Sequence, residues 1–242
     1  MPALKADIIT QLKKELLALQ GFRPLVHAQQ RIDLGTINHS FPNSQFPLGV
    51  NHEFICKSKE SLAASSGFIA GILSSMLQKG GAIVWISSSQ IIFPPALVSF
   101  GIDPSQLIFI HLRNQKEINW TIEEALKCEG LAAVVGELTN IDLTISRRLQ
   151  LAAEQSRVTG FLLRHQPKQI NTTACTCRWQ IQSLQSETTG GLPGIGFPRW
   201  QVELLKVRSG KPGSWQLEWV NGKFQPVVST ASLLNKEHKQ AV

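Results

Sequence analysis

A chain of 242 residues, 43% hydrophobic and 17% charged, has the size and apolar content for one large domain with a real core. Its net charge of +7 and pI near 9.4 favour an anionic partner, with nucleic acid first in line. Four cysteines are too few for a disulfide framework at this length, and no apolar run reads as a signal peptide or membrane span, so a cytoplasmic protein is expected.

Residues 5–20 read as an amphipathic helix with Ile8, Ile9, Leu12, Leu16 and Leu19 on one face, ended by Gly21 and Pro24. Such a helix packs on its own domain or docks a partner subunit; for docking, Ile8, Leu12 and Leu16 are the candidates. A polar linker and a turn-rich segment with Pro42 and Pro47 lead to VNHEFICKSKESLAASSGFIAGILSSML, residues 50–77. This stretch reads as a strand from Asn51 to Cys56, a polar loop, and a helix from about Ala63. A strand feeding a loop into a helix N-terminus is the layout that cradles phosphate. The loop offers Lys57, Lys59, Ser61, Ser65 and Ser66, but GxxxxGK[ST] cannot be written in it.

AIVWIS (82–87) and QLIFIHL (106–112) read as buried strands separated by a short helix from Pro94 to Phe100. A helix from Trp120 to Cys128 follows, with Glu123 and Glu124 expected in its early turns. GLAAVVGEL (130–138) is a further strand, Asp142 to Ser156 a helix carrying Arg147 and Arg148, and GFLLRHQ (160–166) another strand. This alternation predicts a mostly parallel sheet flanked by helices. RWQIQSL, WQVELLKV and SWQLEWV then alternate with period two, and SGKPG joins the last two as a hairpin, an antiparallel extension of the same sheet. The expected division is an N-terminal helix and linker (1–33), an α/β core including the hairpin (34–227) and a tail (228–242).

Glu137, at the end of its strand, is a candidate metal ligand or a partner for Arg147 or Arg164. Lys57 and Lys59 are candidates for an anion at the helix N-terminus. Arg147, Arg148, Arg164, Lys168, Arg178, Lys206, Arg208 and Lys211 make the second half basic, and Trp179, Trp200 and Trp215 are available either for base stacking or for sheet packing. Cys175 and Cys177, two apart in an expected strand, share one face on that reading; no second Cys/His pair completes a tetrahedral set, so no metal site is expected.

The order of elements resembles RecA-type recombinases: LGTINHSFPNSQFPLGVNHEFI resembles their lead into the phosphate loop, SFGIDPSQLIF the stretch after their second core strand, and RWQVELLKVRSGKPGSWQLEWVNGKF their final hairpin. EALKCEGLAAVVGE, SRRLQLAAEQSRVTGF, RHQP, NTTAC and GLPGIGFPRWQVELLKVRSGKPGSW are similar to the ImuA proteins, bacterial damage-inducible relatives of RecA, over residues 34–224. The resemblance implies a RecA-like fold and positions for a nucleotide site. The phosphate loop falls at residues 56–66, the catalytic glutamate at Ser89, and the metal-holding aspartate at Gly136, one before Glu137. With all three replaced, the resemblance implies no ATPase activity and no cofactor. It implies a non-catalytic accessory in SOS-induced, error-prone translesion synthesis. The partners it implies are an ImuB-like polymerase-related adaptor, an error-prone DNA polymerase, RecA, and DNA through weak nonspecific contact, near the nucleoid when DNA is damaged. A SulA-like cell-division inhibitor and a degenerate ATPase or single-strand DNA-binding protein are the alternatives.

Overall fold

Nine strands form one sheet in the computed structural model, which describes residues 31–78, 80–88, 92–186 and 196–227. The expected N-terminal helix with Ile8, Leu12 and Leu16, the position Ser89 and the tail lie outside the described residues. The strands are β1 (Asn51–Cys56), β2 (Ala82–Ser87), β3 (Leu107–His111), β4 (Leu131–Leu138), β5 (Thr159–His165), β6 (Cys177–Leu184), β7 (Arg199–Val207), β8 (Gly213–Val220) and β9 (Lys223–Pro226). Their order is β3-β2-β4-β5-β1-β6-β7-β8-β9. The ladder is parallel from β3 to β6 and antiparallel from β6 to β9, so the hairpin extends the same sheet.

Four helices complete the described chain: α1 (Lys59–Leu77), α2 (Pro94–Val98), α3 (Gln115–Leu126) and α4 (Leu143–Ser156). On one face, α1 packs on Phe54, Trp85, Val135, Phe161 and Trp179. On the other, α3 and α4 pack on Val84, Val134 and Leu162. Among the described residues this core includes Ile32, inside the stretch expected to be linker.

Helix α1 is apolar over most of its circumference, and 12 of its 19 residues are buried. It is the one described helix long and apolar enough to cross a membrane, and here it is the centre of the fold. The sheet curls around it. Phe100, which precedes β3, stacks on Trp200 of β7 and meets Trp219 of β8, so elements from opposite ends of the strand order come together. Gly67 and Gly71 open the flank of α1 to these rings. A Cβ on Gly67 would stand 3.3 Å from Trp200, and one on Gly71 2.9 Å from Trp219 and closer still to Phe224.

Two expectations change. The sequence places β3 in the buried interior, whereas it is the sheet edge and Ile108 and Phe109 are exposed on opposite faces. The cause is packing: α3 lies mainly over β4 and β2, so β3 is covered only in part, through Ile110. The sequence also starts α3 at Trp120, but Asn114 caps it by accepting the Lys116 N–H, so Glu123 and Glu124 fall late in the helix. There they pair with Lys127, and Glu123 with Arg148, rather than with the helix dipole.

His52 lies wholly inside, stacked 4.4 Å from Phe46 and flanked by Phe161 and Trp179. Its Nε2–H donates to the Pro47 carbonyl (2.8 Å) and its Nδ1 accepts from Trp179 Nε1 (3.3 Å), which requires the neutral ring. Burial pulls its pKa from 6.5 down to about 4, against the opposing Pro47 hydrogen bond.

Two outcomes follow. In an open helix, glycine to alanine adds up to about 1 kcal/mol of stability. Gly71→Ala is expected to lower the unfolding midpoint instead, because the new methyl meets two rings; a raised midpoint would show the rings yield. For His52, the unfolded chain takes up a proton below pH 6.5 that the folded chain refuses until about pH 4. Stability therefore falls as pH drops through that window, by roughly 3 kcal/mol at full extent. Denaturant unfolding at successive pH values checks this: His52→Phe should be less stable at pH 7 yet show a flatter decline toward pH 4.

Candidate functional site

At the C-terminal end of the sheet, β1 passes into α1 through Lys57 and Ser58 alone. Ser58 is the N-cap. Its Oγ accepts the Ser61 N–H (3.2 Å), while Ser61 Oγ accepts the Ser58 N–H (2.9 Å), forming a reciprocal capping box. The Ser61 N–H, one of the helix-end donors that a phosphate loop would present outward, is here engaged by the Ser58 hydroxyl.

The helix thus starts four residues before Ala63, and this moves the candidate residues. Lys57 and Lys59 are exposed, but Lys59 stands in the first turn rather than in a loop. Ser65 and Ser66 are buried inside α1: Ser65 Oγ accepts from Cys56 Sγ (3.4 Å) and Ser66 Oγ donates to the Leu62 carbonyl (2.8 Å). Burial pushes the Cys56 thiol up to about 11, with Ser65 opposing and Glu137 adding to the shift, so it stays protonated at neutral pH.

Gly136 faces α3, and a Cβ there would run into Ile122. A carboxylate at that position would point away from the β1–α1 turn. Glu137 is the residue on the α1 side; it is buried and accepts from Trp85 Nε1 at 3.1 Å. The expected pairing of Glu137 with Arg164 is corrected, because Arg164 faces the other side of the sheet and is held by Glu53.

Glu53 is the charge that sequence reasoning missed. It sits fully buried in β1, directly beside Arg178 of β6 in the strand register. Arg164 Nη1 donates to Glu53 Oε1, and Arg178 Nε and Thr173 Oγ1 donate to Oε2, each at 2.7 Å. The arginines then reach outward. Arg164 Nη2 donates to the Gln169 carbonyl and Asn171 Oδ1, both at 3.0 Å, and Arg178 Nη2 donates to the Asn171 carbonyl at 2.7 Å. Asn171 Nδ2 bonds the Ile141 carbonyl, and Ser146 Oγ accepts the Ala174 N–H. Lys206 and Arg208 donate to the Thr173 and Ala174 carbonyls. The connection from β5 to β6 is therefore fastened along its length. The available signal is a lone acid in the middle of an expected strand, followed by the apolar Phe54, Ile55 and Cys56.

This corrects the anion-binding set. Arg164 and Arg178 face inward to Glu53, since a carboxylate buried this deeply requires paired cations. Arg208 also pairs with Glu154 (3.3 Å) and Arg148 with Glu123. Arg147, Lys168 and Lys211 stay exposed, on separate elements. Trp179 and Trp200 are buried and Trp215 is half-buried, so these indoles pack against α1 or the core beside it. Cys175 and Cys177 do not share a face. Cys175 precedes β6 and packs in the α4 layer, while Cys177 joins the α1 layer. Burial raises both thiols, Cys175 to about 12. Among the described residues no three His, Cys, Asp or Glu side chains group as a metal site.

No family model matches the chain. Protein ImuA from two strains of Caulobacter vibrioides is 34% identical over 195 residues, which spans 76% of this chain and 80% of the relative. The chain belongs to the ImuA family. The crystal structure of the RadB recombinase superposes with a TM-score of 0.53 at 14% identity, covering 76% of this chain and 93% of that one. The fold of this ImuA-family chain is thus RecA-like, with a mostly parallel sheet, flanking helices and C-terminal antiparallel strands.

Removing one member of a buried ion network strands the others, at a cost of about 3–5 kcal/mol. Arg164→Met is expected to lose stability on that scale in denaturant unfolding. Amide exchange should rise first across residues 167–175; exchange no faster there than in β1 would mean the network does not hold the connection.

Proposed function

We propose that this protein is a non-catalytic RecA-like accessory of error-prone translesion DNA synthesis in a bacterium exposed to DNA damage. It works in the cytoplasm, near the nucleoid, as an adaptor between an ImuB-like polymerase-related protein and an error-prone DNA polymerase, and it contacts RecA. The observation that carries this reading is the β1–α1 turn, reduced to Lys57 and Ser58 and closed by its own capping box. Phosphoryl transfer needs a backbone cradle, a lysine, a carboxylate on magnesium and a base that positions the nucleophile, all acting together. Here the turn has no room for the cradle, Gly136 has no carboxylate, and Glu137 is engaged with Trp85. A RecA-like sheet without that machinery retains its surfaces, and surfaces are what an adaptor uses.

Membership in the ImuA family supports the damage-response setting. The inward-facing Arg164 and Arg178 argue against a primary role in gripping single-stranded DNA at the β5–β6 connection. DNA contact through Arg147, Lys168 and Lys211 is weak and nonspecific on this reading.

Co-expression with the ImuB-like protein tests the proposal. The two should copurify through size exclusion, and deleting residues 1–20, which remove Ile8, Leu12 and Leu16, should abolish that. An isolated protein that elutes alone, while blocking the GTPase of the tubulin-like division protein, would replace this reading with a division-inhibitor one.

A further inference from the structure

The two edges of the sheet are built differently. β9 is a four-residue strand carrying Lys223 and ending on Pro226, devices that discourage further pairing. β3 reads LIFIH, with no proline, lysine or bulge, and no described strand pairs its outer side. Leu112 donates its N–H to the Ser87 carbonyl on β2. By strand alternation Ile108 and Ile110 also turn toward β2, while Leu107, Phe109 and His111 present N–H and C=O outward.

Apolar surface flanks this edge on both faces. Phe109 is 41% exposed on the α1 face, where the crossover carrying Phe93 (67%) and Val98 (53%) also lies. Ile108 is 49% exposed on the other face, which also carries α3 with Trp120 at 62%.

We propose that β3 is a homodimerisation edge, which pairs antiparallel with β3 of a second copy about a two-fold axis through Phe109. That register makes Phe109 a hydrogen-bonded pair with its own copy and sets Ile108 opposite Ile110. Charge fits the same arrangement. Asp103 enters β3, and Arg113 and Lys116 leave it, so antiparallel pairing brings the acidic end of one copy to the basic end of the other. Pairing buries the exposed parts of Ile108 and Phe109 from both copies together with the edge backbone, an interface of the small, reversible class. This inference stands apart from the adaptor reading: a dimer does not require an ImuB-like partner, and the partner does not require a dimer.

Sedimentation velocity of the full chain tests it. The expected mass is twice 26.7 kDa, and Phe109→Lys or the milder Ile108→Thr should weaken the dimer at least tenfold with the circular-dichroism spectrum of the folded chain unchanged. Phe109→Cys in a Cys128→Ser background should cross-link to itself on mild oxidation, because the two cysteines would face each other within disulfide reach. A single-chain mass up to about 100 μM, a dimer indifferent to both edge substitutions, or a cysteine variant that does not cross-link would each overturn the proposal.

Discussion

A carboxylate with no exposed surface, clamped between two arginines, sets the interior of this molecule. Glu53 in β1 takes Arg164 from β5 on one side and Arg178 from β6 on the other, so one ionic centre spans the three central strands. Taking such charges out of water is costly, and it is offset only when each remaining donor finds an acceptor. Here most do, and the acceptors are carbonyls of the connection between β5 and β6. The demand for satisfied arginines thereby becomes a positional constraint: the segment at the C-terminal end of the sheet is bound down instead of being presented.

The same end of the sheet is closed a second time on the opposite face. α1 needs an N-cap, and Ser58 supplies it within two residues of β1. Because α1 is enclosed by strands that curl from β1 around to β9, its position is fixed by packing against Trp200, Trp219 and Phe224. A lengthened loop would have to displace a helix held by that packing. The RecA-like framework thus persists because its core depends on α1, while the C-terminal end of the sheet carries caps and ion pairs.

Much of this was legible in the sequence, and the misses have physical causes. Continuous apolar runs mark β2, β4 and β5, and period-two alternation marks the antiparallel hairpin, nearly residue for residue, since the apolar pattern reports burial directly. LIFIH reads as an interior strand because composition does not distinguish a central strand from an edge; that depends on where α3 lands. The start of α1 was misjudged because Lys59, Glu60 and Ser61 look like loop, although Ser58 three residues before Ser61 fits a capping pair. Arg164 and Arg178 read as surface because arginine usually is. Only their long-range placement around Glu53 turns them inward: Arg178 is its register partner on β6, and Arg164 stands two residues past its register partner Leu162 on β5.

The proposed loss of nucleotide binding is most directly tested by equilibrium titration of the purified chain with labelled ATP and magnesium. No saturable binding is expected below about a millimolar, with or without Lys57→Ala and Lys59→Ala. Saturable binding in that range, lost on removing either lysine, would contradict the closure of the β1–α1 turn and restore a nucleotide-driven protein.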